Sequence, residues 1–213
     1  MSLYEIVAKG GILMLAIGAC SLIAVAVVIE RWLSLRKVQI NTATFILQIK
    51  NLLLKNHVEE AIALCKRTPG PIAKITKAAI EKREGTREEI REAIEDAGKI
   101  EVYQLEKNLG ALGTVAAVSP LIGFLGTVTG MIRAFMQIQL HGGNVDASVL
   151  AGGIWEALIT TAAGLSVGIP ALIFYNWLES KVQRIVFEMQ VSSTEILDML
   201  LEKERVHGIQ SES

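Results

Sequence analysis

Three stretches of this chain are too long and too apolar for the surface of a soluble fold. Residues 10–29 carry no charge between Lys9 and Glu30, and residues 108–132 none between Lys107 and Arg133. Between Asp146 and Glu179 the single charge is Glu156. A helix rises about 1.5 Å per residue, so roughly 20 apolar residues cross the hydrocarbon core of a bilayer. Each stretch meets that length. The chain therefore reads as an all-α integral membrane protein with three transmembrane helices, two of them extended into long cytoplasmic helices. Its mean hydropathy of +0.43 agrees.

The first run raises two rival readings. A cleaved signal peptide needs a basic start and a shorter apolar core. Here Glu5 accompanies Lys9, and the core is too long. Ile17-Gly18-Ala19-Cys20 weakly resembles a lipoprotein box, but the apolar run continues past Cys20 where a lipoprotein turns polar. A retained helix over 10–29 is the expectation, with Cys20 a packing residue. Arg31, Arg36 and Lys37 follow this helix, against Lys9 before it. The positive-inside rule then puts residues 1–9 outside and residues 30–107 in the cytoplasm.

Residues 30–107 hold 15 Lys+Arg and 12 Asp+Glu. Their apolar positions are spaced for helices: Ile46, Ile49, Leu52 and Leu53, then Ile62, Ile72, Ile75 and Ala79. Breaks are expected at Asn56, at Pro69-Gly70-Pro71 and at Gly85-Thr86. Thr86 with Glu89 forms a capping box, with Gly85 closing the helix before it. The mixed charges read as solvated faces, with Glu84 and Glu88 opposed by Arg87 and Arg91. His57 reads as a surface residue. No helix breaker follows Thr86, so one helix is expected to run from the cytoplasm into the second apolar run.

That second span, 108–132, is rich in small and hydroxyl residues. Gly113, Ala116, Pro120, Gly123, Thr127, Gly130 and Ala134 share one face at about 100° per residue. Such a face lets another helix approach closely. Thr127 is the hydroxyl in the middle of it. Its hydroxyl can bond back to its own helix or turn towards another. Residues 133–149 are expected to form an outside loop that carries His141 and Asp146.

The third span, 150–178, contains Glu156. A carboxyl inside a membrane is costly and marks a functional site by default. Thr160 and Ala163 share its face, whereas Thr161 points well around the helix. Pro170 should kink the helix and free a carbonyl. Tyr175 and Trp177 suit an aromatic belt. Residues 179–213 form a cytoplasmic helix and tail. Val182, Val186, Met189, Ser193, Ile196 and Leu200 make a seam in steps of four and three, for self-association or for packing on the chain's own soluble helices. From Ile209 on a disordered tail is expected.

Several functions are excluded. A net charge of −1 without a basic stripe gives no reason to expect nucleic acid. Cys20 and Cys65 stand in separate segments, with no CxxC or Cys/His cluster, so neither a disulfide nor a metal site is expected. No cofactor motif is present, and no acid, base and nucleophile converge outside the membrane. An enzyme is not expected.

Two stretches resemble a known family. Pro120-Leu-Ile-Gly123-Phe-Leu-Gly126-Thr127-Val-Thr-Gly130-Met131 is similar to the second-helix motif of the MotA/TolQ/ExbB proton channels. Glu156-Ala-Leu-Ile-Thr160-Thr161-Ala-Ala-Gly164-Leu165, followed by Ile169-Pro170-Ala171 and Tyr175-Asn176, is similar to the third. Three spans rather than four put the resemblance nearest ExbB and TolQ. It implies a homo-oligomer, a pentamer by analogy, in the bacterial inner membrane with a periplasmic N-terminus and a cytoplasmic C-terminus. An ExbD- or TolR-like single-span partner would sit inside the pore, and motion would pass through TonB or TolA. It also implies a proton pathway lined by Glu156, Thr127 and Thr161, with Thr160 on the face of Glu156. Pro120, Gly123, Gly126, Gly130 and Pro170 would serve helix packing or kinking. Burial raises a carboxyl pKa, which suits proton exchange near neutral pH. Otherwise Glu156 is a structural acid at the interface, paired with Arg133 or solvated, and the small-residue faces only build an assembly scaffold.

Overall fold

The computed structural model describes residues 11–38, 40–140 and 147–211, without the side chains of 147–150, 156 and 202–211. Every element among them is an α-helix: α1 Gly11–Val38, α2 Thr42–Leu54, α3 Val58–Arg67, α4 Pro71–Glu81, α5 Arg87–Glu106, α6 Leu109–Leu140 and α7 Ala147–Ser211. Three helical stretches are long and apolar enough to cross a membrane, with mean hydropathies of 2.9, 1.8 and 1.9. The expected segments 1–9 and 141–146 lie outside the described residues. The chain divides into two compact units, Met1–Arg31 with Asn108–Leu178, and Trp32–Lys107 with Glu179–Ser213.

In the second unit α4 is the central element and packs on both α3 and α5, while α2 packs on α3. Its Ile72, Ile75, Ala79 and Ile80 are buried, as are Ile46 and Ile49 of α2, Ala61 and Cys65 of α3 and Ile90 and Ile94 of α5. The breaks follow local chemistry. Asn56 closes α2 in the left-handed region at φ 62°, where Asn is tolerated more than other residues. Pro71 opens α4 at its first turn, where a missing N–H costs nothing. Thr86 and Glu89 form the full reciprocal capping box. Gly85 does not close the preceding helix, which ends at Glu81. Its role is spatial, since a Cβ there would lie 2.6 Å from Glu89 Oε2 and displace the capping carboxylate.

Four expectations are corrected here. The run from Thr86 into the second span is broken at Lys107-Asn108, with Asn108 at φ 63°. Asn108 then donates from Nδ2 to Glu30 at 2.8 Å, which ties the start of α6 to α1. The loop expected from residue 133 is helical as far as Leu140. Helix α7 continues to Ser211, past the start of the expected tail. Finally, the buried seam of α7 is Val182, Ile185, Met189, Ser192, Ile196 and Leu200. Val186 and Ser193 instead line a cleft of about 680 Å³ opposite Ile94, Gly98 and Val102.

The charges also pair differently. Arg91 meets Glu95 at 3.5 Å and Arg83 meets Glu84 at 2.6 Å. Glu101 is buried rather than solvated, and Lys74 Nζ reaches both of its oxygens at 2.8 and 2.9 Å. His57 stands just before α3 with Nδ1 3.0 Å from Glu60.

Burial pushes the Cys65 thiol up to about 11 from 9.0. Two results are expected. Iodoacetamide at pH 8 should label Cys65 far more slowly in the native protein than after denaturation. Stability should fall as pH rises from about 9 to about 11, because the unfolded thiol ionises while the folded one stays neutral. Separately, Thr86→Ala should lower the stability of the second unit by ~1 kcal/mol in a denaturant titration.

Candidate functional site

Helices α6 and α7 lie antiparallel within the first unit, and glycines set their separation. A Cβ on Gly123 would lie 2.8 Å from the Thr160 carbonyl oxygen and 3.0 Å from Thr161 Cα. One on Gly164 would lie 2.5 Å from the Ser119 carbonyl oxygen. Gly126 faces the Thr160 side chain, Gly130 faces Ala157, Gly153 faces Ala134, and Gly168 faces the Pro120 ring. Lipid tails are as apolar as leucine, so two membrane helices gain little from hydrophobicity alone and associate by close packing and hydrogen bonds.

The buried face of α6 is Leu112, Val115, Ala116, Ser119, Gly123, Gly126, Gly130 and Ala134. It is turned slightly from the face read off the sequence. Pro120 and Thr127 stand at its edge, half-buried, and Ser119 and Gly126 take the centre. Among the described residues of α7 up to Leu178, those buried are Ala157, Thr160, Gly164, Gly168, Ala171 and Leu178. Pro170 is exposed, inside a helix assigned without interruption.

The three threonines behave differently. Thr160 is 2% exposed and donates to the Ala157 carbonyl of its own helix at 2.8 Å. Thr127 reaches across to the same Ala157 carbonyl at 3.1 Å. Thr161 reaches across to the Gly123 carbonyl at 2.9 Å, and the Thr127 and Thr161 hydroxyls also contact each other. Thr161 thus faces α6 of its own chain. An ideal-helix wheel centred on Glu156 missed this, because the partner face was unknown.

The arithmetic of that cluster matters. Two hydroxyls supply two protons, yet three contacts compete for them. Only two bonds form at once. The pair can therefore donate towards Gly123 on one side or towards Ala157 on the other. Glu156 precedes Ala157 in the same helix, and its side chain lies outside the described residues. Among the described residues no group of His, Cys, Asp or Glu could hold a metal ion.

Three bilayer-length helices, two of them joined by close glycine contacts with a hydroxyl cross-bond, define a polytopic membrane protein organised round a polar helix pair. The chain belongs to the MotA/TolQ/ExbB proton channel family, whose model matches residues 67–191. That span contains the whole of α6 and the membrane part of α7. The family is one of proton channels and not of enzymes. An ExbB-like biopolymer transport protein of Synechocystis sp. is 33% identical over 172 residues, 80% of this chain and 82% of that protein. An ExbB homolog of Methanothermobacter thermautotrophicus is 28% identical over 179 residues, and this chain spans 63% of its length. The Tol-Pal system protein TolQ of Haemophilus influenzae is 45% identical over 85 residues, 40% of this chain and 37% of that protein. These likenesses put the chain with the ExbB/TolQ type of membrane channel subunit.

The packing predicts which glycines resist substitution. Gly164→Ala drives a methyl into backbone and should destabilise the protein by roughly 1–3 kcal/mol. Gly110 meets nothing within 4 Å. Gly110→Ala should leave the thermal unfolding midpoint in detergent unchanged or slightly higher.

Proposed function

We propose that this chain is the channel subunit of a proton-driven motor and that Glu156, Thr127 and Thr161 line its proton path. The observation that carries this reading is the Thr127–Thr161 hydroxyl pair, which bonds across α6 and α7 instead of back into either helix. Thr129, by contrast, bonds back into its own helix. Glu156 would take and release the proton at one end of the pair. The single charge in an otherwise apolar span suits that role.

In this reading several copies assemble, five by family analogy, round the membrane helix of an ExbD/TolR-like partner. The assembly sits in the inner membrane with the N-terminus on the periplasmic side and the C-terminus in the cytoplasm. The work is delivered to the outer membrane through a TonB-like protein for import. Two of the ExbB-named relatives align with 80% and 84% of this chain and the TolQ match with 40%, which supports import over a TolA-linked role.

The test is proton flux into liposomes that hold the chain co-purified with an ExbD/TolR-like single-span partner. Glu156→Gln should abolish flux with assembly intact. Thr161→Val, which keeps the shape and removes the hydroxyl, should cut flux roughly ten-fold. Equal flux in the wild type and Glu156→Gln would return Glu156 to a structural role and favour the scaffold.

A further inference from the structure

Arg133 is the only charged residue in α6, and Glu156 is the only one in residues 147–178. The function proposed above uses Glu156 and leaves Arg133 without a role. Arg133 is exposed, and so are the apolar side chains near it on α6, Ile132, Phe135 and Met136. Position 156 stands beside exposed Trp155 and Leu158. Large apolar residues exposed on both helices at this level suit lipid or another membrane helix rather than water. A lone charge in such surroundings is costly, and charges placed there pair with one another.

The helix contacts fix where the two positions stand. A Cβ on Gly130 would lie 2.8 Å from Ala157 Cβ, and one on Gly153 would lie 2.9 Å from Ala134 Cβ. Residues 130–134 of α6 therefore run beside 153–157 of α7, in opposite directions. Arg133 comes one residue before Ala134 and three after Gly130. Residue 156 comes one before Ala157 and three after Gly153. At about 100° per residue, both stand about 60–100° round from the line of contact, in the same sense. In an antiparallel pair the same sense of rotation leads to the same flank. The threonines obey this rule. Thr127 comes one after Gly126 and three before Gly130, Thr161 comes one after Thr160 and three before Gly164, and their hydroxyls touch. Their offset has the opposite sense, so they occupy the other flank.

We propose that Arg133 is the positioning residue of Glu156, through an ion pair across α6 and α7 that holds the carboxylate on the flank away from the Thr127–Thr161 hydroxyls. Its consequence for transport rests on the proton-path reading above. A proton bound by Glu156 cancels the negative charge and breaks the ion pair, and release of that proton restores both. Arginine suits the place, since its stem can lie along apolar surface while its guanidinium stays charged.

The test uses the complex with the membrane partner and reads thermal stability and proton flux separately. Arg133→Gln and Glu156→Gln should each lower the unfolding midpoint in detergent by roughly 5 °C, because each leaves the opposite charge alone in apolar surroundings. The double variant should lose no more than either single one. Arg133→Gln should also cut liposome flux roughly ten-fold, because the carboxyl loses its fixed place. Arg133→Lys keeps the charge and should keep most of the stability and the flux. Losses of stability that add in the double variant set the two charges apart and overturn the proposal. So does a flux of Arg133→Gln equal to that of the wild type, or a loss of flux that Arg133→Lys shares in full. If Glu156→Gln itself conducts like the wild type, the proton-path reading fails separately, and additivity of the stability losses alone then decides whether the two charges pair.

Discussion

The close approach of α6 and α7 is the constraint on which the membrane unit depends. Gly123 and Gly164 bring backbone to within a methyl group of backbone, and Gly126 and Gly130 do the same against Thr160 and Ala157. At that distance a threonine hydroxyl on one helix can reach a carbonyl on the other. With bulkier residues in the seam the helices would stand apart. Thr127 and Thr161 would then satisfy themselves within their own helices, as most membrane threonines do. The glycines therefore turn two ordinary hydroxyls into an interhelical pair.

The same closeness explains the prolines. Pro120 packs its ring on Gly168, where any side chain would collide with it. It also removes the usual backbone donor to the Ala116 carbonyl. Pro170 stands on the exposed side of α7 and has no comparable neighbour in the seam.

The second unit follows more common rules. Caps and breaks at Asn56, Pro71 and Thr86 cut residues 42–106 into short helices round α4. Buried isoleucines supply the core, and Lys74 closes over a buried carboxylate, Glu101. At Asn108 a left-handed residue ends the soluble helix and its side chain anchors on Glu30 of the first span, so a single residue marks the change from one unit to the other.

The chain order of apolar runs, the small-residue face and the positions of Glu156, Thr127 and Thr161 were all legible in the sequence. Length, charge and helical period determine them without reference to neighbours. The helix breaks at Asn56, Pro71 and Thr86 were legible for the same reason, since turns and caps are local chemistry. The break at Asn108 was not, because nothing in its neighbours forbids a continuous helix and the bond to Glu30 spans 78 positions. Three further decisions belonged to the tertiary structure. The seam of α7 buries Ile185 and Ser192, whereas Val186 and Ser193 line a cleft with Ile94 and Gly98 of α5. Thr161 found its partner on α6, which a wheel drawn on α7 alone could not reveal. Ser119 passed in the sequence as one more small residue. Only the packing of two helices shows that its hydroxyl is buried and lacks a partner among the described residues, because satisfaction of a polar group depends on the atoms around it and not on its place in the chain.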